Sequence, residues 1–157
     1  MAQRVIAVIG AGAARIETCE LAFAVGRAVA ERGATLICGG RGGVMEAAAR
    51  GARAAGGHTI GILPGYDRRD ANPHIEFAIA TGMGQARNAI IIASADAVVA
   101  LEGEGGTLSE IGLALKLGRP LVALRAWPEI AGIAHADDPA SAVELALARA
   151  ASSPPLK

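Results

Sequence analysis

The stretch RVIAVIGAGAARIETCELAFAVGRAVAERGATLICGGRGG, residues 4–43, decides the fold class of this chain. Arg4 to Ile9 is a short aliphatic run of the kind that is buried on both faces of a sheet. Thr18 to Arg32 then places Leu21, Val25, Ala28 and Val29 on one helical face, and Gly33 stands where that helix should stop. Thr35 to Cys38 starts a second strand. Strand, glycine turn, helix and strand make one βαβ unit, and the returning helix forces the two strands to run parallel.

The alternation continues outward. Val44 to Ala55 predicts an alanine-rich helix ended by Gly56 and Gly57, and His58 to Leu63 predicts a third strand stopped by Pro64. Tyr66 to Pro73 (YDRRDANP) is a polar loop dense in turn formers. Glu76 to Ala80 predicts a short strand, Gln85 to Ser94 a helix and Ala97 to Leu101 a buried strand. Thr107 to Leu117 predicts a helix closed by Gly118, Leu121 to Leu124 a strand, and Asp138 or Pro139 to Ala151 a last helix. The reading is one α/β domain over residues 1–151, a three-layer sandwich with a mainly parallel sheet, followed by a flexible tail over 152–157.

Composition narrows the partners. The chain has 157 residues, with 15 Lys+Arg against 15 Asp+Glu and 52% hydrophobic residues. Such a length fits one domain, and such a balance excludes a disordered polyelectrolyte. Zero formal net charge and no local basic patch argue against nucleic acid. Apolar runs break well short of the roughly 20 residues of a membrane span, and the first residues lack a signal-peptide pattern. The expectation is a cytoplasmic protein without a membrane partner. Cys19 and Cys38 form no CxxC pair, and His58, His74 and His135 have no metal-ligand spacing, so no metal is expected. With 37 Ala and 21 Gly, the core must rely on close backbone approach rather than on large rings.

The glycines gather where the strands end, which is where ligands bind in open parallel sheets. Gly10 and Gly12 follow the first strand, Gly39, Gly40, Gly42 and Gly43 the second, and Gly61 and Gly65 flank the end of the third beside Pro64. Gly103, Gly105 and Gly106 follow Ala97 to Leu101. Backbone N–H groups in such loops, backed by helix dipoles, suit a phosphate. Tight turns are the alternative use of each glycine taken singly. A standard dinucleotide site is disfavoured, because Gly10-Ala11-Gly12 lacks its third glycine and the second strand ends in Gly39 and Gly40 rather than an acid. Arg15, Arg41 and Arg68 lie in or beside these loops, and either phosphate pairing or solvation accounts for them. Tyr66 and Trp127 offer either base stacking or plain packing.

Two segments are specific. Cys38 to Pro64 (CGGRGGVMEAAARGARAAGGHTIGILP) and Glu102 to Glu110 (EGEGGTLSE) resemble the signature blocks of the Lonely Guy (LOG), or lysine decarboxylase-like, Rossmann superfamily. Ala22 to Gly33 and Thr81 to Ile92 (TGMGQARNAIII) fit as well, so the resemblance runs to about Leu124. It implies a Rossmann-like fold. The short length, the Ala71 to Pro73 loop and the Arg87-Asn88 pair look most like the branch of the molybdenum cofactor carrier proteins. LOG enzymes cleave a nucleoside 5'-monophosphate into base and ribose 5-phosphate. The resemblance therefore implies that Gly106 and Thr107 hold phosphate and that Arg87 and Glu110 are catalytic. The anion is expected against the Gly103 to Thr107 loop, with Gly39 to Gly43 and Arg41 as the neighbouring wall and with Gly10, Gly12, Pro64 and Asn88 as further ligand contacts. The resemblance implies no required cofactor, with a nucleotide or molybdenum cofactor as the small phosphorylated ligand.

The chain also departs from the LOG pattern. Glu102 stands in place of the motif's Pro, Glu104 in place of its second Gly, and Asn88 in place of the Lys that follows the arginine. Two extra carboxylates would thus lie near the phosphate cradle. Thr107-x-x-Glu110 also reads as a capping box, a purely structural use of both residues. Three functions stay open: a phosphoribohydrolase, a carrier of a phosphorylated heterocycle such as a pterin cofactor, and an oligomeric scaffold. A homodimer or larger assembly is expected, both from the resemblance and because Ile90, Ile91 and Ile92 cannot all face one core.

Overall fold

A computed structural model describes residues 2–154. Seven strands form one sheet: β1 (Val5–Ile9), β2 (Thr35–Cys38), β3 (Thr59–Leu63), β4 (Phe77–Ala80), β5 (Ala97–Ala100), β6 (Leu121–Leu124) and β7 (Ala134–Ala136). Five α-helices accompany them: α1 (Ile16–Glu31), α2 (Val44–Ala54), α3 (Asn88–Ser94), α4 (Gly105–Leu117) and α5 (Pro139–Ser152). The strand order is β4-β3-β2-β1-β5-β6-β7, and every observed pairing is parallel. The fold is therefore the α/β sandwich that the alternation of runs predicts, and it is Rossmann-like, as the resemblance implies.

Each central strand feeds two cores, as the two-residue period of a strand requires. Ile6, Val8, Leu36, Val99 and Leu124 pack under α1, α2 and α5, whereas Ala7, Ile9, Ile37, Ile62 and Val98 pack under α3 and α4. The small-residue composition has its clearest use between α1 and α2. A Cβ on Gly26 would lie 1.8 Å from the Ala48 carbonyl oxygen, and one on Gly51 would lie 1.9 Å from that of Phe23. The two helices touch backbone to backbone.

Several boundaries differ from the sequence reading. β7 has no apolar run to announce it; its three residues join the sheet by pairing with β6 in register Val122 to Ala134. The region expected to be one helix over 85–94 opens with a 3-10 turn, Gly84–Arg87, before α3. α4 begins at Gly105 rather than Thr107, because Leu108 N–H already bonds to the Glu104 carbonyl at 2.9 Å. Ile91 and Ile92 are fully buried, and Ile90 is partly buried against the same core. Of the tail expected over 152–157, Ser152 ends α5, and residues 155–157 lie outside the described residues.

Candidate functional site

From β1 the chain moves outward in one direction to β4 and then returns to place β5 on the other side of β1. Loops leaving β1 and β5 must part there toward opposite faces, which opens a crevice at the carboxyl ends of the strands. Its volume is about 490 Å³. Gly10 and Gly12 line it from β1, Gly39, Arg41 and Gly42 from β2, and Pro64 from β3. Arg87 and Asn88 come from the α3 junction, and Gly106, Thr107 and Glu110 from α4. Gly40, Gly43 and Gly103 stand in the same loops and Gly105 opens α4, but none of the four lines the crevice.

The acidic departures separate in three dimensions. Glu102 is turned away from the cradle: Arg15 Nη2 donates to both of its carboxylate oxygens, and Thr18 Oγ1 donates at 3.1 Å. These bonds hold the Glu102 carboxyl below the usual range and occupy Arg15. Glu104 does line the crevice, as the residue preceding α4, and its side chain makes no capping bond. The capping box is not formed, since Thr107 already lies inside the first turn and Glu110 a turn deeper. Both Thr107 and Glu110 are buried and face the crevice.

Arg87, only 7% exposed, is held from several sides. Its Nε donates to the Ile62 carbonyl at 2.8 Å, its Nη2 to the Gly39 carbonyl at 3.4 Å and its Nη1 to Asn88 Oδ1. Residue 39 must be glycine for this placement, because a Cβ there would stand 2.7 Å from both Arg87 Nη2 and Met45 Sδ. Burial lowers the Arg87 pKa from its ordinary value, while the carboxylate of Glu110 pulls it back up. Glu110 shows the reverse. Burial pushes its carboxyl up to about 7, against the opposing pull of Arg87. A cationic group with N–H donors and a carboxyl poised near neutrality thus share one crevice, which suits holding an anion and moving a proton.

Ala11, Ala13 and Gln85 also line the crevice, and the sequence reading gave them no site role, although Ala11 lies between Gly10 and Gly12 and Gln85 lies two residues before Arg87 in the Thr81 to Ile92 block. Arg41 lines the crevice with an exposed side chain, while Arg68 sits in an exposed 3-10 turn outside it. Neither large polar aromatic lines the crevice. Trp127 Nε1 donates to the Leu101 carbonyl at 2.9 Å and packs beside the α4 core, and Tyr66 is 91% exposed. Among the described residues, no group of three or more His, Cys, Asp and Glu side chains could hold a metal, and no helix is long and apolar enough to cross a membrane.

A family model described as LDcluster4, SLOG cluster4 family, matches residues 3–151. The solved structure of the molybdenum cofactor binding protein from Rippkaea orientalis superposes with a TM-score of 0.91 at 36% identity, covering 95% of this chain and 98% of that one. The molybdenum cofactor carrier protein from Chlamydomonas reinhardtii gives a TM-score of 0.87 at 34% identity, over 97% of this chain and 100% of that one. A cytokinin riboside 5'-monophosphate phosphoribohydrolase of Mycobacterium tuberculosis is 36% identical over 126 residues, 74% of this chain and 67% of that relative.

Proposed function

Because this chain belongs to the SLOG cluster4 family, we propose that its crevice binds a phosphorylated heterocycle, a nucleoside monophosphate or the molybdenum cofactor, and carries it intact. The observation behind this reading is the state of Arg87. Three of its nitrogens each bond to a protein acceptor, and a guanidinium has five N–H donors, so two remain for a ligand. Phosphate oxygens suit such donors, and the Gly106 end of α4 adds its dipole. Glu110 offers an acceptor for an N–H group of a pterin or base. The two molybdenum cofactor proteins, similar over nearly their whole length, support carriage.

Hydrolysis is the second reading, favoured by one observation: Glu110, with a pKa raised to about 7, shares the crevice with Arg87. A carboxyl poised near neutrality is suited to acid–base work at a glycosidic bond. Titration calorimetry with AMP, GMP and a molybdopterin-type ligand, paired with an assay for free base, tests both readings. Saturable binding without base release supports the carrier, and base release supports the hydrolase. Absence of saturable binding at low salt to every one of them refutes the site.

A further inference from the structure

Asn88 stands where LOG enzymes carry lysine, and it is only 2% exposed. Its Oδ1 accepts from Arg87 Nη1. Its Nδ2 donates to Ser109 Oγ at 3.0 Å and lies 3.5 Å from the Gly106 carbonyl oxygen, to which Ser109 Oγ donates at 2.7 Å. On the far side, Arg87 Nε is anchored to the Ile62 carbonyl at 2.8 Å. One chain of hydrogen bonds therefore runs from β3 through the guanidinium and the amide into the first turn of α4. That same helix carries Thr107 and Glu110.

We propose that Asn88 is a positioning residue, a latch that ties Arg87 to α4 and so fixes the guanidinium relative to Glu110 across the crevice. The inference rests on the ligand-binding reading above. Only a side chain with one acceptor and one donor can serve here. Lysine has no acceptor for Arg87 and would set a second cation beside it, and aspartate would keep the acceptor but lose the donor to Ser109. Asparagine at this position thus supplies an internal brace where lysine would supply a second cation. Ser109 is exposed and does not line the crevice, so its removal disturbs the latch without touching a ligand.

The test compares Asn88→Ala, Ser109→Ala and the double variant in the full chain. Nitrogen-15 NMR of arginine side chains reads Arg87 without any ligand: hindered rotation should separate its Nη–H signals in the parent protein. Those signals should average in Asn88→Ala and broaden in Ser109→Ala. With AMP as probe, Asn88→Ala should raise Kd roughly tenfold and Ser109→Ala about threefold, the coupling expected within one hydrogen-bond network. The double variant should match Asn88→Ala, because both substitutions break one chain. Arg87 signals indifferent to Ser109→Ala, or effects on Kd that multiply in the double variant, would overturn the latch. If the parent binds none of AMP, GMP and a molybdopterin-type ligand, the functional reading falls and the ligand-free NMR result alone decides the latch. If Asn88→Ala fails to fold, Ser109→Ala carries the same test.

Discussion

Arg15 Nη2 donates to both carboxylate oxygens of Glu102, at 3.0 and 2.7 Å, and so removes that acid from the crevice it adjoins in sequence. Of the two carboxylates that break the LOG motif, Glu102 belongs to a surface bridge between the loops after β1 and β5. Glu104 alone stays beside the α4 N-terminus to compete with a bound anion.

Glu104→Gln should therefore strengthen phosphate binding, whereas Glu102→Ala should leave it within twofold. A charge at a helix terminus is worth about 0.3 to 1 kcal/mol, or roughly two- to fivefold in Kd, and the gain should shrink as salt rises. Calorimetry with AMP at two ionic strengths reads both. Equal effects of the two substitutions would show that the Arg15 bridge does not separate them.

Glu110 makes a pH-dependent contribution of definite sign. Its carboxyl rises on folding from an ordinary 4.5 to about 7, so the folded state holds the proton more tightly than the unfolded chain. Both states are protonated below about pH 4, and stability is lost as pH rises through the window from 4.5 to 7. At about 1.4 kcal/mol per pH unit the penalty above pH 7 is on the order of 3 kcal/mol. Glu110→Gln should melt higher than the parent at pH 8, with the difference vanishing near pH 4. If the carboxyl is also catalytic, the same variant loses base release; full retention of that activity would remove Glu110 from the chemistry.

Arg87→Lys should behave as a loss rather than a conservative change. A lysine cannot bond the Ile62 and Gly39 carbonyls and Asn88 together while still facing a ligand. Each charge-assisted bond is worth about 1.5 to 3 kcal/mol, so AMP affinity should fall more than tenfold. An unchanged Kd would place the anion elsewhere.

Gly26→Ala and Gly51→Ala should destabilise the fold without altering the crevice, since each new methyl meets a carbonyl oxygen of the facing helix. Overpacking of this kind costs about 1 to 3 kcal/mol. Denaturant unfolding measures the loss, and AMP affinity of the folded fraction should stay at the parental value.

Assembly is expected through the β4 edge, where Phe77 and Ile79 are 54% and 49% exposed on one face, with exposed Tyr66 and Met83 near the same end of the sheet. Apolar clusters of this kind seek cover. Sedimentation at micromolar concentration should give a dimer or larger species, and Phe77→Glu with Ile79→Glu should yield monomer. A parental protein that sediments as a monomer would overturn the expectation.

The order of elements was readable from residues 4–43 onward because strand and helix periods are local properties of a chain. Buried parallel strands announce themselves as aliphatic runs, and Gly33 and Gly118, both with positive φ, marked the ends of α1 and α4. The loops that build the crevice were readable for the same reason. Ala-His-Ala at β7 carried no such mark, for its strand character comes only from the β6 edge beside it.

Sequence by itself thus determined the layers, the parallel run of the strands and the residue types gathered at their ends, whereas the strand order that opens the crevice came only with the tertiary structure. Tertiary structure decided what those residues do. Thr107 and Glu110 fit a capping box as well as a ligand wall, and the choice depended on where α4 starts, which the Glu104 carbonyl settles. Glu102 and Glu104 differ by two positions and by little in chemistry, yet one meets Arg15 and the other the crevice. The Arg87-Asn88 pair became a brace only through Ile62 and Ser109, more than 20 residues away on either side. Hydrogen bonding and desolvation act between neighbours in space, and those neighbours are fixed only when the sheet brings distant loops together.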